Sequence, residues 1–122
     1  MSKTRVYISG PITGTSDYME RFSESEKALE RRGYSVINPA KIGAALPKDM
    51  LYEEIVAIDM KLLECADMIY MLRGWQTSIG ANREYGYALG AGIDIVKQET
   101  ILGKKPEFLT MAKTEQEGEE HE

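Results

Sequence analysis

A chain of 122 residues, of which 43% are hydrophobic, is long enough for one domain with a core and too short for two. Its formal net charge of −5 argues against a nucleic-acid-binding surface, and no apolar run approaches the roughly 20 residues that a membrane span needs. The single cysteine excludes an intrachain disulfide and, with no signal-peptide pattern after Met1, favours a cytoplasmic protein. The single histidine, His121, lies in the tail, so His-based catalysis and His-based metal sites are excluded. We therefore expect no metal and no cofactor.

Strand and helix patterns alternate along the chain. Residues 5–9, 34–37, 67–72 and 93–96 are short β-rich or apolar runs that predict strands. Residues 17–32 and 49–64 show helical periodicity, as does a segment that begins after Ser78, whereas residues 40–48 are interpreted as a loop. The alternation predicts a single-domain α/β fold, Rossmann-like or flavodoxin-like, with a parallel sheet of four or five strands flanked by helices. The domain is expected over 1–113, with an optional edge strand in 97–103, a docking segment at 106–111 and a disordered acidic tail at 114–122.

The loop after the first strand is bounded by Gly10 and Gly14. Glycines at a strand-to-helix turn let backbone N–H groups approach a ligand closely. The loop lacks the spacing of a dinucleotide fingerprint and the Lys-Ser/Thr of a P-loop. Tight turns also use glycine, so the pattern alone leaves a ligand site and an ordinary turn open.

Glu84 is expected in the first two turns of the helix that Ser78 caps. A carboxylate there lies near the positive end of the helix dipole, which favours its ionised form. The carboxyl edge of a parallel sheet is also where ligands bind. Glu84 is therefore a candidate nucleophile, and the alternative is a glutamate that only complements the dipole.

Asp59 falls inside the apolar arc of the helix over residues 49–64, whose stripe is centred on Leu51, Ile55, Ile58 and Leu62. Burial there would raise the pKa of the carboxyl unless a partner compensates, and such groups are often functional. The alternative is an aspartate that bonds a neighbouring loop. Cys65, near the end of this helix, is interpreted as a small buried filler.

Together these segments resemble the nucleoside 2-deoxyribosyltransferase family, whose superfamily includes the 2'-deoxynucleoside 5'-phosphate N-hydrolases. The resemblance extends from about residue 6 to residue 96 and is strongest with a small phage and bacterial branch that opens on Tyr-Ile-Ser-Gly-Pro-Ile-Thr-Gly. It rests on the order and spacing of these residues: Tyr7, Ser9, Gly10, Ile12, Thr13 and Gly14, then Asp59, then Ala66 and Asp67, then Ser78, Gly80, Glu84, Gly86 and Ala88.

The resemblance implies that Glu84 is the nucleophile that attacks the sugar, with Asp59 as its acidic partner and Tyr7 beside it. It implies that residues 9–14 line the sugar or phosphate side, with Gly80 also at the site, and that Ser78 meets a 5'-phosphate. The N-hydrolases carry an arginine in the first glycine loop where this chain has Thr13, and Arg83 or Arg73 is a possible replacement. The family also implies a homo-oligomer, a dimer or higher.

The resemblance predicts a metal-independent enzyme that cleaves or transfers the N-glycosidic bond of a (deoxy)ribonucleoside or its 5'-monophosphate. Two alternatives stay open, a nucleotide-binding module without chemistry and a structural protein. The base, the sugar, the need for a 5'-phosphate, and hydrolysis against transfer also stay open. Four aromatic residues are candidates for stacking on a base, with a core position as the alternative: Tyr70, Trp75, Tyr85 and Tyr87.

Overall fold

Four parallel strands form the centre of the protein, as seen in a computed structural model that describes residues 3–101. The strands are β1 (Arg5–Ser9), β2 (Ser35–Ile37), β3 (Met68–Met71) and β4 (Asp94–Lys97). The helices are α1 (Tyr18–Arg31), α2 (Pro39–Ala44), α3 (Tyr52–Glu64), α4 (Ile79–Ala91) and α5 (Gln98–Ile101), with a 3-10 turn at Trp75–Thr77. The predicted Rossmann-like α/β fold is confirmed.

The strand order is β2-β1-β3-β4, which is the flavodoxin-like order over its first four strands. In the register of the two central strands, Tyr7 of β1 lies beside Ile69 of β3 and Ser9 beside Met71. Since successive side chains of a strand point to opposite faces, each strand contributes to two cores. Val6 and Ile8 pack on the α1 side, whereas Tyr7 packs on the side of α3 and α4.

Local signals in the sequence explain the buried face of α1 and the two ends of α4. Phe22, Ser25 and Leu29 form the buried stripe of α1, as the helical spacing predicts. At the start of α4, the Ser78 hydroxyl accepts a hydrogen bond from the Ala81 backbone N–H at 3.1 Å. Gly92 ends α4 with a φ of 75°, a left-handed conformation that glycine adopts without strain.

Two predictions of local structure were wrong. The predicted loop at 40–48 contains α2, because Asn38 caps that helix by accepting from the Lys41 N–H and Pro39 occupies its first turn. The optional strand at 97–103 is replaced over Gln98–Ile101 by α5. The docking segment and the acidic tail, at 106–111 and 114–122, lie outside the described residues.

Helix α3 is less buried than its apolar stripe predicts. Leu63 is its buried residue, whereas Leu51 and Tyr52 are 57% and 62% exposed. The helix begins at Tyr52, where the Glu54 carboxylate accepts from the Leu51 N–H at 2.9 Å. Cys65, interpreted as a buried filler, is exposed just after the last turn of α3, so that interpretation was also wrong. The stripe therefore belongs partly to an open surface.

No helix within residues 3–101 has both the length and the apolar character needed to cross a bilayer.

Candidate active site

Glu84 accepts two short hydrogen bonds from the first strand. The Ser9 hydroxyl donates to Oε1 at 2.6 Å, and the Tyr7 hydroxyl donates to Oε2 at 2.7 Å. Tyr7 is fully buried and Ser9 almost so, while Glu84 is half-buried. Each carboxylate oxygen therefore has its own hydroxyl donor, which orients the carboxylate plane.

The periodicity of the backbone produces this arrangement. Residues two apart on a strand share a face, so Tyr7 and Ser9 both point toward α3 and α4. The loop before α4 is held by the Asn82 amide, which donates to the carbonyls of Gln76 and Ser78 at 3.0 and 2.9 Å. Glu84 then lies in the second turn of α4, on the face that meets the sheet.

Burial has the largest effect on the pKa of Glu84. It raises the pKa of the carboxyl, and the bonds from Ser9 and Tyr7, together with the charge of Arg83, act in the opposite direction. We expected the helix dipole to favour the ionised form, but the dipole acts mainly within the first turn, and Glu84 is in the second. The hydroxyls and Arg83 therefore supply the stabilisation of the carboxylate.

Asp59 is a second carboxyl in the same cavity. Burial, and then the charge of Glu84, raise its pKa to about 7. The Asp59 carboxyl makes no hydrogen bond or ion pair with any of the described residues, so the alternative of an aspartate bonded to a nearby loop is not what the structure shows. The contribution of the Glu84 charge means that Asp59 gives up its proton after Glu84 has ionised.

The Tyr7 phenol stays protonated. Burial raises its pKa, and the charges of Glu84 and Asp59 and the hydrogen bond to Glu84 raise it further. A phenol in this environment acts as a hydrogen-bond donor to the carboxylate and does not serve as a base.

These groups open into a cavity of about 250 Å3 between the carboxyl edge of β1 and helices α3 and α4. Nine of the ten predicted site residues line it: Tyr7, Ser9, Gly10, Ile12, Thr13, Asp59, Ser78, Gly80 and Glu84. Gly14 does not, and its φ of 84° fits a tight turn. Helix α3 also supplies Tyr52, Ile55 and Val56 to the cavity wall, whereas the helical spacing predicted that Ile55 faces a core.

Gly10 and Gly80 differ in what surrounds them. A Cβ added at Gly10 would lie 2.8 Å from Cβ of Leu72, so the strand end requires glycine for packing. A Cβ added at Gly80 would meet only the Ser78 hydroxyl, at 4.0 Å, although Gly80 lines the cavity. The space beside Gly80 is therefore not filled by a neighbouring side chain.

Arg83 carries a positive charge at this cavity, and it is exposed. Arg73, the other suggested replacement for a cation in the first loop, lies at a different cavity on the α1 side of the sheet. Of the two arginines, Arg83 is therefore the one positioned to meet an anionic group of a ligand near Glu84.

The candidate stacking residues do not line the Glu84 cavity. Trp75 and Tyr70 are buried in the two cores. Trp75 packs on Tyr85 with ring centroids 4.7 Å apart, and the Lys97 ammonium lies 5.8 and 5.6 Å from the two ring centroids. Within residues 3–101, no three Asp, Glu, His or Cys side chains group together as metal ligands would.

Comparison with known proteins gives a family and a fold. The profile of the family described as "Domain of unknown function (DUF4406)" matches residues 4–97, a span that includes every residue of the Glu84 cavity. None of the curated proteins matches the chain.

Two solved structures are similar to this one. A 2-deoxyribosyltransferase from the psychrotolerant bacterium Bacillus psychrosaccharolyticus has a TM-score of 0.64 and 16% identity, over 77% of this chain and 71% of that one. A conserved protein from Enterococcus faecalis V583 has a TM-score of 0.64 and 20% identity, over 79% of this chain and 63% of that one. At these identities the likeness shows a shared fold, and the chain spans less than two thirds of the Enterococcus protein.

Proposed function

This chain belongs to the DUF4406 family, and we propose that it cleaves or transfers the N-glycosidic bond of a (deoxy)ribonucleoside or its 5'-monophosphate. Glu84 is the nucleophile, Asp59 the acid partner and Tyr7 the group that orients Glu84. The observation that carries the proposal is the pair of carboxyls in one cavity, one held by two hydroxyl donors and the other with a pKa of about 7. The likeness in fold to a 2-deoxyribosyltransferase supports it.

Breaking a bond between sugar and base creates positive charge on the anomeric carbon and negative charge on the leaving base. An ionised carboxylate stabilises or traps the first, and a protonated carboxyl neutralises the second. A pair of groups whose surroundings separate their pKa values is suited to this division. The charge of Glu84 raises the pKa of Asp59, so Glu84 is the carboxyl of the pair that ionises first.

In the first step, a carboxylate oxygen of Glu84 forms a bond to the anomeric carbon while the bond from that carbon to the base nitrogen breaks. The proton of Asp59 moves to the departing base, so the base leaves neutral and Asp59 becomes ionised. In the second step, Asp59 takes a proton from water, or from a second base, as that group displaces Glu84. Water gives hydrolysis, and a second base gives transfer.

The start of α4 is also suited to bind a polar or anionic group of the ligand. Ser78, Gly80 and Arg83 line one side of it, and the space beside Gly80 is open. A 5'-phosphate or a 5'-hydroxyl there would place the sugar between Glu84 and the glycine loop of residues 10–13. Arg83 supplies the cation that Thr13 does not.

The test is a chromatographic assay for free base. Wild-type protein and the Glu84→Gln variant are incubated with ribo- and deoxyribonucleosides and their 5'-monophosphates, with and without an acceptor base. We expect release from one substrate class by wild type, and loss of release in the variant. Glu53→Gln, which changes an exposed glutamate on α3, is the matched control and should retain activity.

Product that forms only with an acceptor base would identify a transferase. Absence of release from every substrate would overturn the proposal. A nucleotide that raises the melting temperature without being cleaved would then favour a binding module on the same scaffold.

A further inference from the structure

A second cavity, of about 580 Å3, lies on the other face of the sheet, between α1 and the ends of β3 and β4. Its walls include Arg21 and Ser25 of α1, Tyr70 of β3, Arg73 just after β3, and Gln98. It shares no lining residue with the Glu84 cavity. The proposed function therefore makes no use of it.

Two hydroxyls that line this cavity have no hydrogen-bond partner among residues 3–101. Ser25 is 5% exposed and Tyr70 is 8% exposed, and neither hydroxyl makes a hydrogen bond to any residue within 3–101. Neither hydroxyl oxygen is sealed inside the protein, so both can be reached by a molecule in the cavity. Burial raises the pKa of the Tyr70 phenol, with the charge of Arg32 acting in the opposite direction, so the phenol is available as a donor.

Two arginines line the same cavity, and the guanidinium of Arg21 is held by a backbone carbonyl of the other. Nη2 of Arg21 donates to the Arg73 carbonyl at 2.6 Å, and the Arg73 N–H donates to Oε1 of Gln98 at 2.8 Å. In the described part of the chain, neither guanidinium lies within ion-pair distance of a carboxylate. Both therefore keep donors that a ligand can use.

The rim limits the charge of such a ligand. Asp17 and Glu24 also line the cavity, and both are exposed. Their carboxylates would repel a molecule with several negative groups. A small ligand with one oxyanion group, directed at the two guanidinium groups, fits this distribution.

We propose that this cavity is a second ligand site, which binds a small molecule through one oxyanion group, a phosphate monoester or a carboxylate. Arg21 and Arg73 bind the oxyanion, and the hydroxyls of Ser25 and Tyr70 bind the body of the molecule. Because the two cavities share no lining residue, a ligand here does not compete for the groups around Glu84.

The test is a titration of the full chain with inorganic phosphate and, separately, with acetate, at constant ionic strength set by chloride. Binding is followed by NMR chemical-shift changes and by the melting temperature. We expect saturable binding of one probe, with shifts centred on Ser25 and Tyr70. The probe that saturates at the lower concentration distinguishes a phosphate ligand from a carboxylate ligand.

Variants separate this site from the Glu84 cavity. Arg21→Gln and Tyr70→Phe should each weaken binding by about tenfold or more, since each removes a donor to the ligand. Arg83→Gln, at the other cavity, should leave this binding unchanged. Binding that is lost in Arg83→Gln and retained in Arg21→Gln, or no saturable binding of either probe, would overturn the proposal. If Tyr70→Phe is unstable, Ser25→Ala tests the same hydroxyl wall.

Discussion

The Ser9 hydroxyl lies 2.6 Å from Oε1 of Glu84, although 75 residues separate the two along the chain. The bond joins the central strand of the sheet to the helix on its α3 and α4 side. With the bond from Tyr7, it makes the carboxylate part of the rigid sheet. The orientation of Glu84 is therefore set by β1 as well as by its own helix.

Ser9→Ala and Tyr7→Phe should each lower kcat/KM by roughly 10- to 100-fold, since a hydrogen bond to a charged group contributes about 1.5–3 kcal/mol. Both bonds lower the pKa of Glu84, so their loss should move the acidic limb of the pH–rate profile to higher pH. The check is kcat/KM for base release across pH. Tyr34→Phe, a partly buried tyrosine on the α1 side, is the control and should leave the profile in place.

We expect wild type to lose activity above about pH 7, where the proton of Asp59 is lost, and Asp59→Asn to remove this alkaline limb of the pH–rate profile. Release of a nucleobase, which leaves with a proton, should be slower in this variant than in wild type. Release of 4-nitrophenolate from the matching nitrophenyl glycoside, which needs no proton, should slow much less. Equal losses for both leaving groups would contradict the assignment of Asp59 as the acid.

Stability should fall as pH rises through the range in which Asp59 ionises. Its pKa is raised from 3.8 to about 7, so between these values the folded protein binds more protons than the unfolded chain. Asp59→Asn removes this dependence, and it should raise the melting temperature relative to wild type more at about pH 8 than at about pH 5. Thermal unfolding of both proteins at the two pH values is the measurement, and an equal difference at both would contradict the assigned burial.

Two glycine substitutions should change the free energy of unfolding in opposite directions. Gly10→Ala places a Cβ 2.8 Å from Cβ of Leu72, and overpacking of this kind costs about 1–3 kcal/mol of unfolding free energy. Gly86→Ala adds a Cβ with nothing within 4 Å, inside α4, and should stabilise by about 0.5–1 kcal/mol. Denaturant unfolding of the two variants tests both. A Gly10→Ala variant as stable as wild type would mean that Leu72 moves to make room for the added Cβ.

Much of the fold follows from local patterns. The strands β1 and β3 and the helices α1 and α4 were predictable, because hydrophobic periodicity and the Ser78 cap act over a few residues. Helix α2 was not predicted, because Asn38-Pro39 directly follows a strand, and this pair can end a strand as well as start a helix. The burial of α3 depends on how far it overlaps the sheet, which no local pattern reports.

The candidate site was predictable to a different degree. That Tyr7 and Ser9 share a face follows from the two-residue period of a strand. That this face meets Glu84 and Asp59 depends on the packing of two helices, and only the resemblance to a family brought the four residues together in advance. The roles of Gly10 and Gly80 became distinguishable only when their neighbours were known, since the sequence shows two glycines and not what surrounds them.

The strand order also affects how the protein folds while it is being synthesised. Strand β1 is synthesised before its neighbour β3, which begins at Met68, 59 residues after Ser9. At roughly 5–20 residues per second, β1 waits on the order of several seconds for that partner. Its apolar residues and its open edge are exposed during this time, a risk that grows with contacts so distant along the chain. The helix that carries Glu84, α4, follows β3 in the chain, so the proposed catalytic groups of β1 and α4 come together only after this interval.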